Sequence, residues 1–216
     1  SIGEEAFLNC YYLTSINIPD SVETIGIYAF DNCKRLASID LPHNEDLFIG
    51  AGAFSGCKSL ESIVIPDNII SIEKDLFLNC EKLRSVTLPD GVISIGDYAF
   101  FRCSALVSLK FPADLETIGD YAFSGCHSLA SIELPNKLSA IGQNAFGNCS
   151  ELTSVTVPDS VTELGIGAFE CCYKLADVTL SNGLTALNSS VLRCTDIKSI
   201  VIPESVTQIG DGAFEI

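Results

Sequence analysis

Ten cysteines, two histidines and a surplus of carboxylates are the groups in this sequence able to do chemistry. Eight cysteines, Cys10, Cys33, Cys57, Cys80, Cys103, Cys126, Cys149 and Cys172, stand three residues after a phenylalanine, and Cys194 reads as the shifted equivalent of that column. None forms a CxxC pair of the kind that holds zinc or cycles as a redox motif. Thiols repeated once per unit along one side predict small buried hydrophobes, set too far apart for easy bridging. Cys171 falls outside the column and is expected to point outward as the one candidate reactive thiol, without an evident base or cation to activate it.

His43 and His127 lie more than three units apart, so neither a histidine triad nor a multi-histidine metal site can assemble. Asp20, Asp67, Asp90, Asp159 and Glu204 recur just after a proline column. Stacked one per turn, they fall short of the roughly six to eight oxygens that calcium requires and read as a solvated acidic rim. No catalytic residue, cofactor site or metal site is expected.

What places these groups is an internal period. Phe7, Phe30, Phe54, Phe77, Phe100, Phe123, Phe146 and Phe169 recur at 23-residue steps with a single step of 24, and all eight prolines, Pro19 to Pro203, share another column. The unit is I-G-x-x-A-F-x-x-C-x-x-L-x-S-I-x-I-P-x-x-V-x-x. Within it Ile25, Ala29, Phe30, Cys33 and Leu36 recur at a spacing that suits a short helical turn. From Ser38 the pattern alternates, predicting a half-buried strand that Pro42 ends after about four residues. The glycine after each Ile, present in eight of ten units, is expected at positive φ. Asn188 would tolerate that conformation, whereas Glu73 would be strained or would reshape the turn.

The regularity breaks twice. Residues 43–48 carry one extra residue, placing His43, Asn44, Glu45 and Asp46 in a longer loop. Further on, Ser181 replaces proline, Asn188 replaces glycine, Val191 and Leu192 replace Ala-Phe, and one residue is missing, by this reading before Cys194.

One unit cannot bury enough apolar surface to offset the entropy of ordering itself, so neighbouring units must stack and shield each other. The predicted fold is an α/β repeat solenoid: a leucine-rich-repeat right-handed coil with a short-stranded parallel sheet on the concave face and short helical turns on the convex face. Residues 1–216 are read as one such solenoid of about nine 23-residue units, truncated within a repeat at both ends and continuing beyond them in a parent protein. Curvature is expected because helical turns are thicker than strands. Tyr28, Tyr98 and Tyr121 should cover the phenylalanine column on the convex side.

The motif L-x-S-I-x-I-P followed by I-G-x-x-A-F-x-x-C at this period resembles the BspA-like, Treponema-type leucine-rich repeats over the whole chain. The resemblance implies a cell-surface or secreted setting in host-associated bacteria or parasitic protists, adhesion to host extracellular matrix proteins in some members, and no catalytic residues.

With 28 acidic against 12 basic residues the formal charge is -16, which repels nucleic acid and anionic lipid surfaces over roughly a Debye length, about 8 Å. No apolar run reaches the roughly 20 residues of a membrane-spanning helix. The concave face carries serine at Ser15, Ser38, Ser62, Ser85, Ser108, Ser131, Ser154 and Ser199, with Asp177 the one substitute. Two residues on, the same face is mixed, and any recognition surface should lie there, at Asp40, Val64, Thr87, Lys110, Glu133 and Thr156, with Arg84 adding charge. Aromatic anchors are missing, so affinity would be spread over many small contacts. The expected role is non-enzymatic binding of a protein or glycan partner, or alternatively a spacer without a ligand. A monomer is expected, with end-to-end contacts open to it.

Overall fold

The computed structural model describes all 216 residues. The chain coils once per repeat, so equivalent residues of successive coils lie side by side. Eight rings from Phe7 to Phe169 form one continuous stack, with neighbouring centroids 4.9 to 5.9 Å apart. Phe30 to Phe169 are buried, and the Ile, Leu and Cys columns join them in one hydrophobic cluster of 59 buried residues. Apolar surface is thus removed from water between coils, where a lone coil would leave it wet.

No helix forms on the side of the Ala-Phe motif, contrary to the spacing of its apolar residues. Turns follow one another instead: Ala29 N–H donates to Gly26 O, Asp31 to Tyr28 O and Cys33 to Phe30 O, at 3.0 to 3.2 Å. Between them Tyr28, Phe30 and Asn32 donate to Ala51, Ala53 and Ser55 of the next coil at 2.8 to 3.0 Å. Tyr28 and Asn32 reach this geometry at φ of 51° and 58°, a left-handed conformation that ends an α-helical run and aims alternate amides along the stack. A helix would consume those donors internally and leave the coils unconnected. The expected curvature, which relies on helices thicker than strands, loses its basis.

The most continuous sheet also lies elsewhere than the alternation suggests. Ser71–Ile72, Ser94–Ile95, Thr117–Ile118, Ala140–Ile141 and Glu163–Leu164 form a five-stranded parallel sheet just before the glycine column. Thr24–Ile25 with Phe48–Ile49, and Ala186–Leu187 with Gln208–Ile209, repeat the pairing nearer the ends. The strand expected from Ser38 onward reaches three residues in four coils only: Ser62–Val64 beside Ser85–Thr87, and Ser154–Thr156 beside Asp177–Thr179. Asn17 and Asp40 form a single parallel bridge.

The glycine column has a different cause from the one expected. Gly26, Gly50, Gly96, Gly119, Gly142, Gly165 and Gly210 are absent from the positive-φ residues, as are Glu73 and Asn188, so no left-handed strain arises at Glu73. Close approach explains it: a Cβ on Gly119 would lie 2.7 Å from Asp97 N and 2.5 Å from Asp97 Oδ1 of the preceding coil. Left-handed backbone sits instead two residues later, at Tyr28, Tyr98 and Tyr121, and just before the cysteine column, at Asn32, Asn79 and Asn148.

The ninth repeat is also re-registered. Cys194 N–H donates to Glu215 O at 2.7 Å just as Cys171 N–H donates to Arg193 O at 2.8 Å. Cys194 therefore occupies the column of Cys171, Thr195 takes the usual cysteine position, and the missing residue falls after Cys194, not before it. Ser181 is accommodated because its buried hydroxyl donates to Val161 O at 2.7 Å and accepts from Gly183 N at 2.9 Å.

Gly119→Ala should cost about 1–3 kcal/mol through forced separation of two coils. Gly91→Ala, where the nearest atom is Asp67 O at 4.0 Å, should stay within about 0.5 kcal/mol of the parent. Urea-unfolding midpoints measure both, and equal effects would remove close approach as the cause of the column.

Candidate functional site

The serine face is built by alternation. Ile39, Ile63, Val86, Leu109, Ile132 and Val155 turn into the core, so the residues on either side of each must face out. Asp40, Val64, Thr87, Lys110, Glu133 and Thr156 accordingly form one exposed file, one residue per coil. Their spacing is that of the coils, with Val64 in register with Thr87 and Asp40 beside Asn17. Arg84 is exposed but stands apart, three residues before Thr87, where its amide donates to Glu61 O at 2.9 Å. Val64, 66% exposed, is the apolar spot of the file, one coil from its Asp40 end. The serine column faces out beside it, and no side-chain hydrogen bond from its hydroxyls accounts for its constancy.

Where residues 43–48 carry the extra residue, this face dips into a hollow of about 710 Å³ bounded by Asp40, His43, Glu45, Val64 and Asp67. The wall is held in place. His43 N donates to Asp20 Oδ1 at 2.9 Å, Asn44 Nδ2 to Asp20 O at 3.0 Å, and Asn68 Nδ2 to Leu47 O at 2.8 Å. Asp40, Glu45 and Asp67 take part in none of the ion pairs, and the one such contact at the hollow sets His43 Nδ1 3.7 Å from Asp20 Oδ1. Sequence reasoning placed Asp40 and Val64 on this face but missed Glu45, Asp67 and Asn68 as their neighbours. The available signal was the lone 24-residue step between Phe30 and Phe54.

The remaining reactive groups serve the stack. Each buried cysteine turns its thiol to the phenylalanine carbonyl of the preceding coil: Cys33 to Phe7, Cys57 to Phe30, Cys80 to Phe54, and onward to Cys172 on Phe146, with Sγ to O of 3.1 to 3.4 Å. Burial pushes the Cys33 thiol up to about 11 and raises Cys57, Cys80, Cys103, Cys126 and Cys149 as well. These sulfurs are protonated donors, not nucleophiles. Acidic side chains repeat the device on the surface. Asp159 accepts from Asn182 N at 2.9 Å, and that hydrogen bond holds its carboxyl below the usual range. Asp97 accepts likewise from Asp120 N, and Asp120 from Gln143 N.

The tyrosines do not lie on the phenylalanine stack as expected; they run along their own column. Tyr98 and Tyr121 stack at 5.0 Å, while Tyr28 crosses Gly52 to donate to Asp75 Oδ2 at 3.4 Å, two coils away. No group of three or more histidine, cysteine or carboxylate side chains is placed to hold a metal ion.

Parallel inter-coil ladders, a buried aromatic stack and an exposed mixed file together define a leucine-rich-repeat solenoid. Six copies of the BspA type leucine-rich repeat region match residues 1–130 and 94–216. The chain belongs to that family. It is similar to a leucine-rich cell surface protein of Faecalibacterium prausnitzii A2-165, with 32% identity over 99% of this chain and 73% of the other and a TM-score of 0.56. A leucine-rich repeat protein of Bacteroides ovatus shares 26% identity over 99% and 79% of the two chains, with a TM-score of 0.66. The leucine-rich repeat protein of T. pallidum shares 28% over 91% and 78%, with a TM-score of 0.55. No curated protein matches the chain.

The buried thiols fix a pH dependence. Thiols titrate near 9.0 when unfolded and near 11 or above when buried, so at higher pH the unfolded state binds fewer protons than the native one. Their contribution is fully present below 9.0 and is lost as pH rises toward and beyond 11. Urea-unfolding midpoints taken from pH 8 upward should therefore fall progressively above about pH 9. A flat profile would contradict the buried-thiol reading.

Proposed function

We propose that this chain is a non-enzymatic binding module of a cell-surface protein, presenting its serine face to a protein or glycan partner. One observation carries the reading: a file of exposed, chemically mixed residues, Asp40, Val64, Thr87, Lys110, Glu133 and Thr156, rides on a ladder whose buried columns are nearly invariant. The buried invariant columns are explained by packing, whereas the file is free of it. A surface built of one exposed residue per coil suits recognition over several coils better than chemistry at one point. Surface location draws support from the F. prausnitzii relative, which is named as a leucine-rich cell surface protein. The formal charge of -16 argues against nucleic acid, and a host extracellular matrix component fits the setting that the family suggests.

The uninterrupted stack of eight rings also favours a second reading, a stiff spacer that holds another part of a surface protein outward and has no ligand of its own.

Lys110→Ala combined with Glu133→Ala separates the two. Both side chains are exposed, so the unfolding free energy should change by no more than about 0.5 kcal/mol. Retention on a panel of immobilised host matrix proteins and glycans should drop about tenfold, some 1.4 kcal/mol. Unaltered retention, or no retention of the parent protein on any member of the panel, would favour the spacer.

A further inference from the structure

We infer that Cys171 and Cys194 form a modification site, two half-exposed thiols on adjacent coils that close into a disulfide when a small-molecule disulfide reaches them. The register makes them neighbours. Cys171 N–H donates to Arg193 O and Cys194 N–H to Glu215 O, the same bond one coil further on, and the two residues share φ values of 58° and 55°. Equivalent atoms of adjacent coils are separated by about 4.8 Å, inside the Cα range of roughly 4.4–6.8 Å that a disulfide spans. Matching backbone angles send both Cβ atoms in the same direction.

These two differ from the other thiols of the stack. Seven cysteines from Cys33 to Cys172 are buried and committed to a carbonyl, whereas Cys171 and Cys194 stand in a column filled elsewhere by Asn, Gly or Arg, within reach of solvent. Their surroundings are polar. Arg193, held between Glu170 and Glu215 at 3.1 and 2.9 Å, sets a guanidinium next to the pair. Burial raises the Cys171 thiol, the exposed Tyr173 side chain opposes that rise, and the neighbouring Cys194 and Glu170 add to it.

Position gives the bond a purpose. At the coil of Leu192 the ring stack has ended and the thiol-to-carbonyl link is missing, since Thr195 Oγ1 donates to Leu192 O of its own coil at 2.8 Å. A disulfide between Cys171 and Cys194 would add a covalent link between this coil and its neighbour where the ring and thiol links are missing. In the reaction one thiolate attacks the small disulfide, releasing one thiol and leaving a mixed disulfide. The second thiolate then displaces the remaining half as a second thiol. The protein's two sulfurs lose two electrons, the small disulfide gains them, and the two S–H protons leave on the released thiols.

The test incubates the native chain with oxidised glutathione and follows intact mass and proteolytic peptides. The expected product has lost two hydrogens, carries no glutathione and yields a peptide linking Cys171 to Cys194, while the seven buried thiols remain free until urea is added. Its Tm should rise relative to the dithiol form. Cys194→Ser should retain one glutathione on Cys171, and circular dichroism with unchanged protection of the seven thiols checks that this variant is folded. Stable glutathione adducts on both cysteines of the parent protein, a link through Cys172 instead, or no reaction before unfolding would each overturn the assignment. The outcome is independent of whether the serine face binds a partner.

Discussion

Every coil must offer its neighbour the same groups at the same height. Amides at the positions of Tyr28, Phe30 and Asn32 find their acceptors only on the next coil, and the thiol of each buried cysteine finds its acceptor only on the preceding one. Backbone donors and acceptors removed from water without partners cost far more than the net gain of a bond made. Register between coils is thereby fixed on both flanks of the section, and the phenylalanine rings, brought within 6 Å of each other, are a consequence of that register as much as a cause. The same demand favours glycine in its column, because from Gly96 to Gly165 two backbones meet there with no room for a Cβ, while Glu73 and Asn188 mark the two coils that admit one.

Much of this is legible in the sequence, and the parts that are not share a reason. The columns of Phe, Cys and Leu are visible because burial restricts the side chain, and their period alone implies stacking. The helical turn is misread because apolar residues three to five apart satisfy a helix and a run of tight turns equally. The deciding residues are Tyr28, Asn32 and their equivalents, whose left-handed backbone leaves only a faint mark in composition, the asparagines before the cysteine column. Glycine is misassigned for a related reason: a missing Cβ reads the same whether it relieves φ or clears a neighbouring coil. The position of Cys194 needs the inter-coil hydrogen bonds, since a one-residue deletion fits the alignment on either side of it.

The candidate face divides in the same way. Its exposed file follows from alternation, because a period of two leaves no choice of side. The hollow beside Asp40 and Val64 does not, because it depends on how Asp20 and Asn68 hold the wall of the longer loop. Carboxylates that repeat along an edge looked like a solvated rim. All five are exposed, and Asp20 and Asp159 also fasten the amide of the coil that follows.

Because each coil gives and receives the same bonds, a boundary between two coils is chemically alike wherever it is drawn. An in-frame copy of one 23-residue coil could be inserted at almost any such boundary and find its partners above and below, lengthening the rod without a new core. Tandem duplication of coding sequence is then a tolerated event, and reach can evolve in whole-coil increments while each face keeps its orientation. The exception is the stretch around Leu192, where a copied boundary would also copy the missing residue and its interrupted stack.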